Sequence, residues 1–249
     1  EALSKRALAD ARVRRALALA IDVDTLIHDK LRDRAVRATG LLPAGHWAKD
    51  ARDVALPFDP VASRRLLDDA GFPARGERGR FHVALATTTD RLRRATALVI
   101  ADEWRAVGVA VDVQVRDWSA LYEDIQRGAF DAFSAQWVPV LEPDLMHWVY
   151  ASSSIPQPGR AGGNRSGYRD ADVDRWLEAA RNSDDEAVRR PLYLDAQERV
   201  ARDLPLLPLW FEDQVAVRST RVLDFKLSRI GSLLPIANAR LAPAAAARP

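Results

Sequence analysis

The stretch FHVALATTTDRLRRATALVIADEWRAVGVAVDVQVRDWSALYEDIQRGAFDAFSAQW, residues 81–137, decides the fold class. It opens on an apolar run, 81–87, that reads as a buried strand. Residues 92–107 place Leu92, Ala95 and Val99 on one helical face. Residues 109–115 then alternate Val109, Val111, Val113 and Val115, the period-two mark of a strand. A second helix over 118–126 stops at Gly128. Residues 130–137 read as a third strand, closed by Trp137 before Val138-Pro139, where proline ends the ladder. This β-α-β-α-β order predicts an α/β layer whose sheet is covered by helices.

Working outward, Asp10 caps a helix striped by Val13, Leu17 and Ile21, and a second helix after Asp22 carries Leu26, Ile27 and Leu31. Residues 40–60, broken by Pro43, Gly45, Pro57 and Pro60, read as loop. Asp59-Pro60 then starts a short helix that stops at Gly71. Beyond the core stretch, 152–167 is rich in Ser, Pro, Gly and Asn and reads as loop. Helices follow over 170–180 and 186–202, the second with an irregular or kinked start because Pro191 lies inside it. Residues 204–211 and 214–217 read as strands, and 241–249 as a disordered Ala/Pro tail.

Of 249 residues, 48% are hydrophobic, enough for a sizeable core. Formal net charge is only +2, so no strong field draws nucleic acid or anionic lipid. Of the 37 basic residues only Lys5, Lys30, Lys49 and Lys226 are lysine; we read the arginine excess as coding bias. The absence of cysteine excludes disulfides, thiolate zinc sites and a cysteine nucleophile. The longest apolar run, 16–21, is too short to cross a bilayer, and no signal peptide is visible at the start.

Chemistry-bearing motifs are scarce. No phosphate-cradling glycine loop or nucleophile elbow occurs, and His28, His46, His82 and His147 show no metal-ligand spacing. No catalytic residue, metal or cofactor is expected. Asp184-Asp185-Glu186 suits a helix start, and Asn164-Arg165-Ser166 is a formal glycosylation sequon. Among seven tryptophans, Trp104 and Trp176 lie on amphipathic helices and read as structural. Trp137 differs, because ligands of open α/β sheets gather beyond the carboxyl ends of strands. Trp210 and Glu212 sit two apart on one strand face, where an acid is costly unless that face is wet or paired.

The segment order resembles the family 5 extracellular solute-binding proteins, the oligopeptide-, dipeptide- and nickel-binding receptors of ABC importers. Asp10-Ala11-Arg12-Val13-Arg14-Arg15-Ala16-Leu17 with Ala20-Ile21-Asp22 resembles their D-x-R-V-R-x-A-L…A-I-D-R segment. Gly40-Leu41-Leu42-Pro43 follows, then the run from Phe58-Asp59-Pro60 to Gly71-Phe72. Trp137 with Glu142-Pro143-Asp144, Asn164 with Tyr168, Asp174, and the run 204–209 complete the order. The resemblance extends from about residue 8 to 230.

It implies a periplasmic-binding-protein-like class II lobe, a mixed sheet flanked by helices, and only the C-terminal half of such a receptor. Residues 1–213 would form the ligand-binding lobe, 214–240 would return to an N-terminal lobe lying outside this chain, and 241–249 would be the tail. The tryptophan matching Trp137 lines the cleft in relatives, and an aspartate three residues later grips the peptide amine. Here that position is Val140. Glu212 falls where relatives place a cleft-facing aromatic and could restore the charge from a neighbouring strand, with Trp210 beside it. A cationic, amide-rich or sugar-like solute is therefore as admissible as a free peptide amine. The implied partners are a peptide or small-molecule ligand and membrane permease subunits, with no nucleic acid, for a monomer located in the periplasm or outside the cell. The alternatives are the effector domain of a transcription regulator and a carboxylate-dependent hydrolase.

Overall fold

A computed structural model of the chain describes residues 2–52, 54–74, 76, 79–137, 142–228 and 232–243. In chain order its elements are α1 (Ala2–Ala9), α2 (Ala11–Leu19), α3 (Val23–Leu31), β1 (Ala35–Arg37), α4 (Pro60–Asp69), β2 (His82–Thr88), α5 (Arg91–Ala106), β3 (Ala110–Arg116), α6 (Trp118–Arg127), β4 (Ala132–Phe133), α7 (Leu145–Tyr150), α8 (Ala171–Arg181), α9 (Glu186–Asp203), β5 (Trp210–Glu212), β6 (Val222–Leu223) and β7 (Arg240–Leu241). Aspartate starts most of the helices. Asp10, Asp22, Asp59, Asp90, Asp117, Asp170 and Asp185 each accept a hydrogen bond from an otherwise orphaned N–H of the first turn. Gly128 (φ 66°) closes α6 in the left-handed conformation that glycine adopts without strain.

The central sheet has the order β3-β2-β4 and is parallel throughout. Two small separate sheets, β1 with β5 and β6 with β7, are antiparallel. Along β2 the side chains alternate. Val83 and Leu85 join the first apolar cluster with Leu17, Leu26, Leu67 and Ile100, whereas Ala86 packs with Leu121 and Ile125 of α6. A second cluster gathers Met146 and Val149 of α7, Val173 and Leu177 of α8, and Tyr193 and Val200 of α9. Trp104 is buried and donates its indole N–H to the Leu17 carbonyl at 3.0 Å, the structural role expected of it.

Three strand expectations need correction. The strand expected over 130–137 is only Ala132–Phe133. On its near side the Asp131 carboxylate takes the Ala84 N–H, and on its far side one bond from Ser134 N–H to the Ala86 carbonyl ends the ladder. The strand expected over 204–211 is Trp210–Glu212, because Pro205 and Pro208 have no N–H to give. No strand forms over 214–217: the partner β1 is three residues long, and pairing stops at the bond from Asp213 N–H to the Arg34 carbonyl. Helix α9 runs unbroken through Pro191, where both Pro191 and Ala187 face solvent. Leu241, the first residue of the expected tail, pairs with Val222, and residues 244–249 lie outside the described residues.

One buried acid makes stability depend on pH. Glu103 on α5 accepts the Asp22 N–H at 3.1 Å through Oε1, while its buried Oε2 has no partner. Burial, with the Asp22 carboxylate nearby, raises its pKa from 4.5 to about 7. A raised carboxyl pKa favours the folded state fully below pH 4.5, and that contribution is lost as pH climbs through 7. Glu103→Gln keeps the acceptor and removes the charge. We expect equal urea midpoints for the two proteins near pH 4.5 and a gain of about 1–2 kcal/mol for the variant at pH 8, after discounting for partial exposure. Equal stability at pH 8 would refute the assignment.

Candidate functional site

Trp137 stands beyond the end of β4, half-buried against the second apolar cluster. The guanidinium of Arg165 lies over its ring, 4.8 Å from the centroid, and 5.5 Å from the ring of Tyr122 on α6. Arg165 reaches these rings from the loop that joins α7 to α8, and that loop is held at three points. Gln126 of α6 donates to the Gly162 carbonyl at 3.3 Å and accepts from its N–H at 3.1 Å. Asn164, fully buried, donates through Nδ2 to the carbonyls of Tyr150, Ala151 and Tyr168 at 3.0, 3.0 and 2.8 Å, and accepts the Tyr168 N–H at 3.1 Å. Finally, Gly163 lies flat on Trp148, where an added Cβ would stand 2.2 Å from Cδ1. The sequon at Asn164 is thus structural: an amide buried on three carbonyls is not available to a glycan.

Trp210 and Glu212 lie on one face of β5, Trp210 partly buried against the first apolar cluster and Glu212 at its exposed end. Glu212 is exposed and accepts the Trp210 indole N–H at 3.4 Å, so the acid is not desolvated, and it pairs with no cation among the described residues. Trp210 lies opposite Arg37, and Glu212 opposite Ala35. The expectation that Glu212 lies on a strand neighbouring that of Trp137 is corrected here, since β4 pairs with β2 and β5 with β1. Trp137 packs on the second cluster and Trp210 on the first, and no ring contact or hydrogen bond joins them among the described residues. Val140 lies outside the described residues.

Other chemistry is sparse. His147 is buried on α7, with Nε2 3.2 Å from Glu178 and Nδ1 3.1 Å from the Arg181 guanidinium. Arginine can only donate, so Nδ1 accepts and Nε2–H points to Glu178. Neither nitrogen is left to activate a nucleophile. No group of three or more His, Asp or Glu side chains that could hold a metal occurs among the described residues. A cavity of about 360 Å³ lies elsewhere, lined by Ile21, Leu56, Met146, Tyr150 and Leu207, and none of Trp137, Trp210 or Glu212 reaches it. Arg165 and Tyr122 were not singled out as site residues from the sequence. The paired glycines before Asn164 signal a close backbone approach, but nothing in the sequence shows that the loop folds back over a ring 28 positions earlier.

The chain matches the family "Bacterial extracellular solute-binding proteins, family 5 Middle" over residues 2–156, and it belongs to that family. It is similar to the di/tripeptide-binding protein 3 of Pseudomonas aeruginosa (strain UCBPP-PA14), 26% identical over 220 residues that cover 87% of this chain and 40% of that protein. Among solved structures it resembles the ABC transporter-associated periplasmic binding protein DppA from Helicobacter pylori in complex with peptide STSA. That match has a TM-score of 0.81 at 25% identity, over 94% of this chain and 44% of the other. It also resembles NikA from Brucella suis in complex with Fe(III)-EDTA, with a TM-score of 0.71 at 26% identity, over 82% of this chain and 42% of the other. The chain therefore spans less than half the length of these relatives. The resemblance read from residues 10–22 onward, and the periplasmic-binding-protein fold it implied, both hold. No helix among the described residues is long and apolar enough to cross a membrane.

Proposed function

We propose that this chain is the ligand-contacting lobe of a receptor that delivers a peptide or related small solute to the permease subunits of an ABC importer. It would bind the solute without changing it, outside the cytoplasmic membrane and as a monomer. One observation carries the reading: likeness over 94% of the chain to a receptor whose structure holds a peptide. Two of the relatives described above are named as binding proteins, which supports a role without catalysis.

In this reading residues 1–213 are the lobe and 214–240 return to a second lobe that closes over the solute, closure being favoured by contacts made only in the closed form. The exposed aliphatics of the returning segment support it. Val217 is 98% exposed, Leu234 83% and Leu233 73%, a run of apolar side chains with little to cover them here. Trp137 is the ring that stacks on the solute, and Glu212, beside Trp210 on the separate β1-β5 sheet, is the acid that would meet an ammonium or other cationic group.

The test is a titration of this chain with short peptides, read by nuclear magnetic resonance and calorimetry. One wall leaves about half of a ligand in water, whereas full pockets bury 70–90% of it. Millimolar peptide should therefore shift the indole resonance of Trp137, with no sub-micromolar heat. Tight stoichiometric binding would overturn the two-lobe arrangement, and no response at Trp137 would overturn the role of this lobe.

A further inference from the structure

Four arginines stack on tryptophan rings among the described residues, and three of them are neutralised. Arg175 pairs with Asp172, Arg189 with Glu142, and Arg199 with Asp170 and Asp172. Arg165, on Trp137, is the exception: no carboxylate pairs with it among the described residues, and its buried Nε has no hydrogen-bond acceptor. Asp124 of α6, the helix that supplies Tyr122, is already held by Arg116 and Arg127. Burial also pushes the guanidinium pKa down, the sign of a cation that has lost water without gaining a counter-charge.

A fixed, half-desolvated guanidinium flanked by aromatic faces suits one kind of visitor. Its N–H donors form a planar fork that matches a carboxylate, and although the Tyr122 hydroxyl interacts with the guanidinium, neither ring supplies a counter-charge. The anchoring described above, through Gln126, Asn164 and the glycines, keeps the loop from folding Arg165 out to solvent. Such preorganisation would be wasted on a purely structural cation–π contact.

We infer that Arg165 recognises a carboxylate of the bound solute, making the Trp137 wall selective for solutes that carry a free acid beside an apolar or planar group. The inference rests on the solute-binding reading and deepens it. A peptide with a free C-terminus carries such an acid, and its C-terminal amide does not.

The experiment titrates the chain with tri-alanine, its C-terminal amide, and succinate, following the Arg165 Nε–H resonance and the tryptophan indole resonances. Arg165→Gln identifies the former signal. The expected result is binding of tri-alanine at least tenfold tighter than of its amide, with the difference abolished in Arg165→Gln and partly kept in Arg165→Lys. Succinate should move the Arg165 signal while leaving the Trp137 indole nearly still. Equal binding of acid and amide by the unaltered chain, or an acid preference that survives Arg165→Gln, overturns the carboxylate assignment and leaves the receptor reading standing. If neither peptide moves any indole resonance, the receptor reading itself fails and this assignment with it. Melting curves of the two variants guard against a folding artefact: Arg165→Lys, which keeps the charge and the stem, should melt within about 2 °C of the unaltered chain, a shift of less than about 1 kcal/mol for a domain of this size.

Discussion

Asn164→Ala should lower stability by about 3–5 kcal/mol, because it strips partners from buried main-chain groups that have few replacements. The side chain donates to the carbonyls of Tyr150, Ala151 and Tyr168 and accepts the Tyr168 N–H. Alanine leaves these groups facing a hole in a fully buried position. For a domain of this size each kcal/mol shifts the melting temperature by about 2–4 °C, so a fall of roughly 8–15 °C is expected by circular dichroism. The loss should reach beyond stability. Asn164 immediately precedes Arg165, so the variant should also broaden the Arg165 Nε–H signal as the loop leaves α6. Asn164→Asp is a useful companion: it keeps the acceptor for Tyr168 N–H but turns the donor toward three carbonyls into an acceptor, and it should be no better than alanine. An unchanged melting temperature in Asn164→Ala would mean that the loop is held by other contacts.

Much of the architecture is legible in the sequence because the cues are local. Aspartates at 10, 22, 59, 117 and 170 each satisfy the first turn of the helix they precede. The alternating valines of 109–115 match β3, which pairs along its whole length with β2. The strands that went wrong depend on partners far away. Residues 214–217 have strand character but find no ladder, and 204–209 are apolar because they pack against the first and second clusters, not because they pair. Helix α7 was missed for a similar reason: six residues, Leu145–Tyr150, are too few to show a helical period, and Met146 and Val149 are held by α8 and α9.

The candidate site divides the same way. Trp137 could be picked out by its place after the last strand of the β-α-β-α-β unit, even though that strand is shorter than its sequence suggests. Glu212 and Trp210 share a face as their spacing requires. Arg165 could not be found, since its charge acquires meaning only when it rests on Trp137 and Tyr122 without a carboxylate beside it. Glu212 is the acid that the sequence offers in place of what Val140 lacks, yet it lies on β5, away from the sheet that ends at Trp137. The uncompensated charge that the fold places against Trp137 is positive instead.

The reading stands or falls on Trp137, and the most direct measurement is the affinity of Trp137→Ala for tri-alanine, taken beside its melting temperature in the same samples. A ring that stacks on the solute is an aromatic anchor, and truncating such an anchor costs roughly 2 kcal/mol or more, about thirtyfold in affinity. Because the ring is only half-buried and Arg165 covers one of its faces, the account predicts that loss of affinity with a melting temperature lowered by only a few degrees. A variant that melts far lower yet binds tri-alanine as tightly as the unaltered chain would contradict it, and would make Trp137 part of the core.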